Sequence, residues 1–455
     1  MDFIDQIVIP PSENHVMMLK YIIGISMLLL IPFITLLMGS SVLSVYFNRV
    51  GTKTNNKLYI RFAKDIIEKL TFNKRAGVAL GILPLISITF AYAQLLYQAN
   101  TISLSMLALS VLLFIFAFGA VYRYRDSFVI GDVISSLKNI VRRAPRTMES
   151  GTIDEVSEYA KTLKGSTSST GWISVLLLYL GAYIFGGCIS LTVNPAKWTE
   201  VDNILEILFS WATIFKFAYL LTAAGSITGG AILFYFFKWQ GGIKDMDEDY
   251  VKFIKNFGLC LSFFSTLILP VLIFLNILYL PQAAFSGNVF LYLFLVLVST
   301  LILLNIIYSM IKNSEVKFAS SVFVLIIVVF MFNILSEQYV FGNALEEQVL
   351  AVTTKAEEFD KQVEAKSVAA TNVDPQVIFN TKCIACHRFD VRLVGPPYQE
   401  TVPKYNGDVK SLANFIYSPD VTPKNPGYTA MPNQGLKKKE ALAMAQWLME
   451  KVGKK

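Results

Sequence analysis

Histidine is nearly absent from this chain: there are two in 455 residues, His15 and His387. His387 closes the Cys-x-x-Cys-His run 383–387, which leaves His15 alone and excludes a bis-histidine haem b held within this chain. Charge is scarce too, at 16%, while hydrophobic residues make up 54% and mean hydropathy is +0.52. A soluble protein of this length rarely has that balance, so a membrane protein is expected. The four cysteines imply no disulfide framework, because Cys188 and Cys260 sit in apolar stretches where a thiol packs as a small hydrophobe. The segment ahead of the first apolar run has Asp2, Asp5 and Glu13 and no basic residue before Lys20. It therefore lacks the basic start of a cleavable signal, and insertion is expected to be driven by the first span. The net charge of +7 is spread over loops between apolar runs, which argues against nucleic acid as a partner.

Eight apolar runs are expected to span a bilayer, at 18–46, 76–97, 101–122, 171–193, 203–237, 256–280, 289–311 and 319–337. The first and fifth are long enough to tilt or project. Basic residues sort to one side. The segment 47–75 holds Arg49, Lys53, Lys57, Arg61, Lys64, Lys69, Lys74 and Arg75, 123–170 is rich in Lys and Arg as well, and 238–255 holds Lys238, Lys244, Lys252 and Lys255, although acids offset them. The turns 98–100 and 281–288 carry no Lys or Arg. The positive-inside rule then puts the N-terminus outside, and eight spans return the C-terminus to the outside. The fold class expected is all-α: a polytopic transmembrane bundle of about eight spans followed by a small domain. The boundaries expected are a transmembrane domain over 1–337, a solvated, partly helical linker over 338–373, and a haem domain over 374–455.

That last assignment rests on Cys383-Ile384-Ala385-Cys386-His387. Cys-x-x-Cys-His is the attachment sequence of a c-type haem. Cys383 and Cys386 bond the porphyrin covalently, and His387 is placed to bind iron. The alternatives, a redox or zinc cysteine pair, leave the downstream sequence unexplained. Asp374 and Pro375 start a helix leading into the motif, and 438–452 reads as an amphipathic helix with Leu442, Trp447 and Leu448. The iron needs a sixth ligand. Met431, in Thr-Ala-Met-Pro-Asn, is the candidate, since Pro432 holds its backbone extended. Met444 and Met449 lie in the final helix and read as packing. Met/His ligation suits electron transfer.

Residues 375–452 resemble the short bacterial class I cytochromes c. The resemblance is carried by Lys-Cys-Ile-Ala-Cys-His, Leu-Val-Gly-Pro-Pro-Tyr, Lys-Tyr-Asn-Gly-Asp, Ala-Met-Pro-Asn and Ala-Gln-Trp-Leu. It implies one covalent haem c with His387 and Met431 as axial ligands, the Pro396 carbonyl orienting His387, and electron transfer as the activity. Haem c is attached on the periplasmic face, which agrees with the outside C-terminus read from charge. The location expected is the bacterial inner membrane, multi-pass, with the cytochrome c domain in the periplasm.

Within the spans Lys216 is the deep ionisable residue, and Lys20 and Glu206 sit near span ends, where they snorkel. Lys216 needs a partner, a water cavity or another subunit. Structural pairing is weighed against proton or quinone chemistry. The membrane domain resembles subunit I of the cytochrome bd quinol oxidases at Glu13-Asn14-His15-Val16-Met17, at Phe72-Asn73-Lys74-Arg75-Ala76-Gly77, and from Asn194-Pro195 to Lys216-Phe217-Ala218-Tyr219-Leu220-Leu221. It departs where Tyr219 stands for a haem-binding histidine, in the short turn 281–288, and in lacking Gly-Arg-Gln-Pro-Trp. That resemblance makes His15 a candidate for an additional haem at the outer surface, and Lys216 a candidate for a quinone pocket.

The expected function is an electron-transfer subunit of a respiratory membrane complex. Its partners would be other membrane subunits and a soluble or membrane-bound cytochrome c or terminal oxidase. A bd-like subunit that oxidises quinol and exports electrons through the fused cytochrome is the enzyme alternative. A scaffold with a purely structural haem is the third.

Overall fold

The computed structural model describes residues 11–96, 101–143, 150–198, 201, 203–243, 246–369, 374–420 and 427–453. The described chain is helical throughout, with no strand. It falls into two compact units that divide between Thr353 and Thr354.

The first unit holds the long apolar helices. They are α1 (Glu13–Thr54), α3 (Lys74–Leu95), α4 (Thr101–Arg143), α5 (Ser150–Thr192), α7 (Trp211–Phe237), α8 (Glu248–Ile277), α9 (Gly287–Asn313) and α10 (Ala319–Ala344). Among the described residues eight helices are thus long and apolar enough to cross a membrane, matching the eight expected. Two shorter helices interleave, α2 (Lys57–Leu70) and α6 (Ile204–Leu208). The helices α1 and α7 run through the bundle interior, whereas α8 and α9 bare large apolar side chains such as Phe264, Val271, Phe290 and Leu301. Close approach is set by small residues: a Cβ on Gly229 of α7 would lie 2.5 Å from the backbone nitrogen of Ser262 in α8. Hydroxyls bond across the same seam, Ser226 Oγ to Thr266 Oγ1 at 2.7 Å. Lipid offers no hydrophobic drive between helices, so contacts of this kind hold a bundle together.

Several sequence boundaries are corrected. The polar segments 47–75 and 123–170 are largely helix rather than loop. α1 has 42 residues, about 63 Å at the α-helical rise, twice the ~30 Å hydrocarbon core. α4 and α5 have 43 residues each and also outrun a bilayer. The expected fifth span 203–237 is two helices, because the chain breaks at Phe209 and Ser210 Oγ caps α7 by accepting from the Thr213 backbone at 3.3 Å. That break leaves Glu206 exposed in α6, outside the span. The eighth span continues past 337 to Ala344, with Val340 and Phe341 buried. The acidic residues expected at 2 and 5 lie outside the described residues, as does the turn 98–100.

The basic segments gather at one end. α2 buries Phe62, Ile66, Ile67 and Leu70 and turns its charges outward. Lys64 bonds Asp132 of α4, and that hydrogen bond raises the Lys64 pKa above its ordinary value. Arg61 reaches Asp247 at 3.4 Å, and Lys74 reaches Asp126 at 2.7 Å. Arg125 donates to the Thr71 and Phe72 carbonyls at 2.8 and 2.6 Å, closing the C-terminal end of α2, where a cation is favoured.

The second unit begins within α11 (Glu346–Ala369). Its globular part comprises α12 (Pro375–Ile378), which runs on as a wider turn to Cys383, then α13 (Tyr398–Thr401), α14 (Val409–Tyr417) and α15 (Lys438–Gly453). Asp374 caps the first of these, accepting from the Gln376 backbone at 2.9 Å. The two terminal helices meet as expected, with the Phe379 and Trp447 rings 5.3 Å apart. Ile378, Phe379, Leu412, Ile416, Met444 and Leu448 form the core.

Candidate functional site

The turn after α12 presents Cys383, Cys386 and His387 within five residues. Cys383 is buried and Cys386 half-buried, and burial pushes the Cys383 thiol up from its ordinary pKa, with the Tyr398 hydroxyl bond opposing. The backbone nitrogen of His387 donates to the Cys383 carbonyl at 2.9 Å, so the turn itself sets where the imidazole starts.

Three contacts then fix the ring. His387 Nδ1 lies 2.9 Å from the Pro396 carbonyl oxygen. The Tyr398 ring stacks on it with centroids 5.0 Å apart and planes 22° from parallel. Gly395 passes so close that a Cβ there would sit 2.2 Å from His387 Cε1; no other residue fits. A carbonyl can only accept, so Nδ1 carries the proton. Nε2 is left with its lone pair, the tautomer a metal ligand needs.

A cleft of about 390 Å³ lies beside these groups. Cys383, His387 and Met431 all line it, with Tyr398, Val402, Leu412, Ile416 and Leu448 among its walls. The Met431 loop is held at two points. Lys382 Nζ donates to the Gln434 carbonyl at 3.0 Å, and Arg392 donates to the Gly427 carbonyl at 2.9 Å while its guanidinium lies over the Tyr428 ring. An imidazole, a thioether and the Cys383 thiol line one largely apolar cleft, with the Cys386 thiol three residues along the same turn, and that is the donor set a covalently bound haem requires. The residues fit the group. Of the residues singled out for the haem, the structure brings Cys383, His387, Pro396 and Met431 to this cleft, while Cys386 sits on the same turn outside its lining, its backbone nitrogen donating to the Cys383 carbonyl at 3.1 Å. Gly395 and Tyr398 carried no assigned role in the sequence reading, although they fall in the quoted stretch Leu-Val-Gly-Pro-Pro-Tyr. Met444, read as packing, also lines the cleft and is 1% exposed.

The membrane candidates separate. His15 is exposed in the first turn of α1, and among the described residues no cluster of three or more His, Cys, Asp or Glu side chains is placed to hold a metal. Lys216 is paired. Its Nζ lies 2.5 Å from Glu337 Oε1 on α10. Asn333 Nδ2 donates to Glu337 Oε1 at 3.1 Å and to the Tyr219 hydroxyl at 3.0 Å. This chain of four groups borders a cavity of about 90 Å³, whose other walls include Met27, Ile273 and Leu293. Glu337 escaped the sequence reading because it fell on the final residue of the expected eighth span.

A cytochrome c family model matches residues 374–451. Cytochrome c-551 of Pseudomonas aeruginosa is 31% identical over 78 residues, which cover 17% of this chain and 75% of that protein. Cytochrome c-551 of Pseudomonas denitrificans is 32% identical over 74 residues, covering 16% of this chain and 90% of that protein. No solved structure matches.

Proposed function

The chain belongs to the cytochrome c family through residues 374–451, and from that premise we propose that it is a membrane-anchored one-electron carrier, the electron-transfer subunit of a respiratory complex. Eight apolar helices suit it to anchoring in a membrane. Cys383 and Cys386 would hold the haem through thioether bonds, and His387 and Met431 would supply the ligands to its iron. The anchor lies in a bacterial inner membrane and the cytochrome c unit in the periplasm. Electrons pass between other membrane subunits and a soluble or membrane-bound cytochrome c or terminal oxidase.

The observation that carries this reading is the His387 Nδ1 to Pro396 bond in a cleft shared with Met431. When bound, the haem supplies an iron that changes by a single electron. The chain supplies the rest. Pro396 holds the proton on Nδ1 and so keeps Nε2 free to ligate. Tyr398 and Gly395 stop the imidazole from rotating. Val402, Leu412, Ile416 and Leu448 exclude water, and a dry site ligated by a thioether favours the reduced form.

A haem count on the purified full chain tests the proposal, with pyridine haemochrome spectra separating b from c. One c-type haem per chain, surviving denaturing electrophoresis, is the expected result. Haem lost on denaturation would overturn covalent attachment, and several b-type haems would overturn the single-haem reading.

The Lys216–Glu337 pair beside a cavity favours a second reading, in which a bd-like membrane unit oxidises quinol and the cytochrome exports the electrons. The cavity volume of about 90 Å³ is smaller than the ~150 Å³ of an apolar cavity that takes one benzene ring. A quinol ring would enter only if side chains moved, so the carrier reading is preferred. Anaerobic addition of a short-chain quinol to the isolated chain separates the two: reduction of the haem supports the second reading, and its absence supports the first.

A further inference from the structure

A groove of about 660 Å³ opens between α3, α4 and α5 at the basic end of the membrane unit. One end of it is charged, with Lys74, Arg123 and Asp126. Lys74 and Asp126 neutralise one another at 2.7 Å. Arg123 is exposed and forms no ion pair among the described residues. The charged end therefore keeps one uncompensated positive charge.

From there the walls turn apolar. Val78 is 44% exposed and Ile115 39%, and both line the groove with Ile82. From Arg123 to Ile115 the wall of α4 rises about 12 Å, over a third of the ~30 Å hydrocarbon core. Lys74 is the first residue of its span, so the charged end lies where the apolar helices begin and the walls run inward from it.

Gly119 makes the groove. It lies in the middle of α4 and lines the floor, and a Cβ built there meets nothing within 4 Å. No packing contact requires a glycine. Mid-helix glycine is unfavourable relative to alanine, and here it leaves open space beside Ile115 and Phe118.

We propose that this groove binds one anionic glycerophospholipid, with its phosphate at Arg123 and an acyl chain lying over Gly119. The occupant follows from charge complementarity at one end, an apolar wall that the upper part of an acyl chain can follow, and placement of the boundary between them at the start of a span. Basic pockets between transmembrane helices recognise phospholipid head groups by this chemistry. The inference is independent of the electron-transfer reading.

The test uses the full chain with its haem, reconstituted with equal amounts of phosphatidylglycerol and phosphatidylcholine. The protein is then stripped with excess detergent and read by native mass spectrometry. One phosphatidylglycerol per chain is expected to remain. Arg123→Gln should lower its retention about fivefold, the value of one interfacial cation. Gly119→Phe should fill the groove and abolish retention, while Arg75→Gln, outside the groove, should leave it unchanged. Should Gly119→Phe not accumulate, Gly119→Leu and Arg123→Gln carry the test. Equal retention of phosphatidylcholine, retention unchanged in the Gly119 variants, or displacement of the lipid by millimolar inorganic phosphate would each overturn the proposal.

Discussion

Lys216 on α7 and Glu337 on α10 are 121 residues apart in sequence, and their charged atoms lie 2.5 Å apart inside the helical bundle. Asn333, one turn before Glu337, ties the pair to Tyr219. An ammonium placed among apolar spans is costly unless a carboxylate meets it. The pair therefore fixes how α7 and α10 face one another, whatever else the adjoining cavity does.

Removing either partner should cost more than removing both. Lys216→Met leaves the Glu337 carboxylate stranded, and Glu337→Gln strands the ammonium. Each should cost about 3 kcal/mol, the low end for a buried pair, because the Glu337 side chain keeps 39% exposure. The double variant Lys216→Met with Glu337→Leu should recover most of that loss. Thermal melts in detergent check this; equal losses in single and double variants would show the pair to be uncoupled.

Two contacts at the basic end should respond differently to salt. Arg125 makes charge-assisted bonds to two carbonyls while half-buried, so Arg125→Ala should cost about 1.5–3 kcal/mol and depend little on ionic strength. Lys74 and Asp126 are 67% and 46% exposed, so Lys74→Ala should cost at most about 1 kcal/mol, and that cost should vanish in high salt. Melting curves at low and high salt distinguish the two.

The topology predicts a labelling pattern. Thr52 is exposed at the basic end of α1, and Asn288 is exposed in the first turn of α9 at the opposite end. In a Cys260→Ser background, Asn288→Cys should react with a membrane-impermeant thiol reagent in intact cells. Thr52→Cys should react only after lysis. The reverse pattern would invert the orientation proposed above.

Gly395 should tolerate no side chain. A Cβ there would press on the His387 ring at 2.2 Å, so either the ring or the 392–396 loop must shift. Gly395→Ala should accumulate with less covalent haem than Gly453→Ala, whose added Cβ meets nothing. Haem staining on denaturing gels against total protein gives the ratio; equal ratios would show the approach to be slack.

The membrane helices were legible because eighteen or more apolar residues in a row have few other uses. Hydropathy reports the solvent around a segment rather than its backbone. It therefore read 123–143 as loop, although the helix of α4 continues through Arg125, Asp126 and Ser127 to Arg143. α2 was hidden for a related reason: Phe62, Ile66, Ile67 and Leu70 form a stripe at helical spacing, but the window average is diluted by its lysines. In the cytochrome unit the ligand set could be read from five contiguous residues and one loop methionine. The packing of Gly395 and Tyr398 against His387 could not, since it depends on how a loop folds back. Glu337 shows the same limit, as its meaning lies in Lys216 on another helix.

The sharpest remaining test concerns which methionine faces the iron. Met431 and Met444 line the same cleft. Met444 is 1% exposed and packed in the core formed by α15, whereas Met431 is half-buried in a loop tethered by Lys382 and Arg392. A side chain already surrounded by core contacts is poorly free to reach a metal, while a loop thioether held at both flanks is aimed without being consumed in packing. Met431→Ala should abolish the far-red ferric absorption band of iron–thioether ligation and lower the reduction potential, with covalent haem retained through Cys383 and Cys386. For Met444 the comparison is Met444→Leu, since truncation to alanine would cost about 2–5 kcal/mol and a swap of similar volume usually under ~1.5. Met444→Leu should keep the band. Loss of the band in Met444→Leu with retention in Met431→Ala would move the ligand to α15 and require the Met431 loop to serve only as a lid over the cleft.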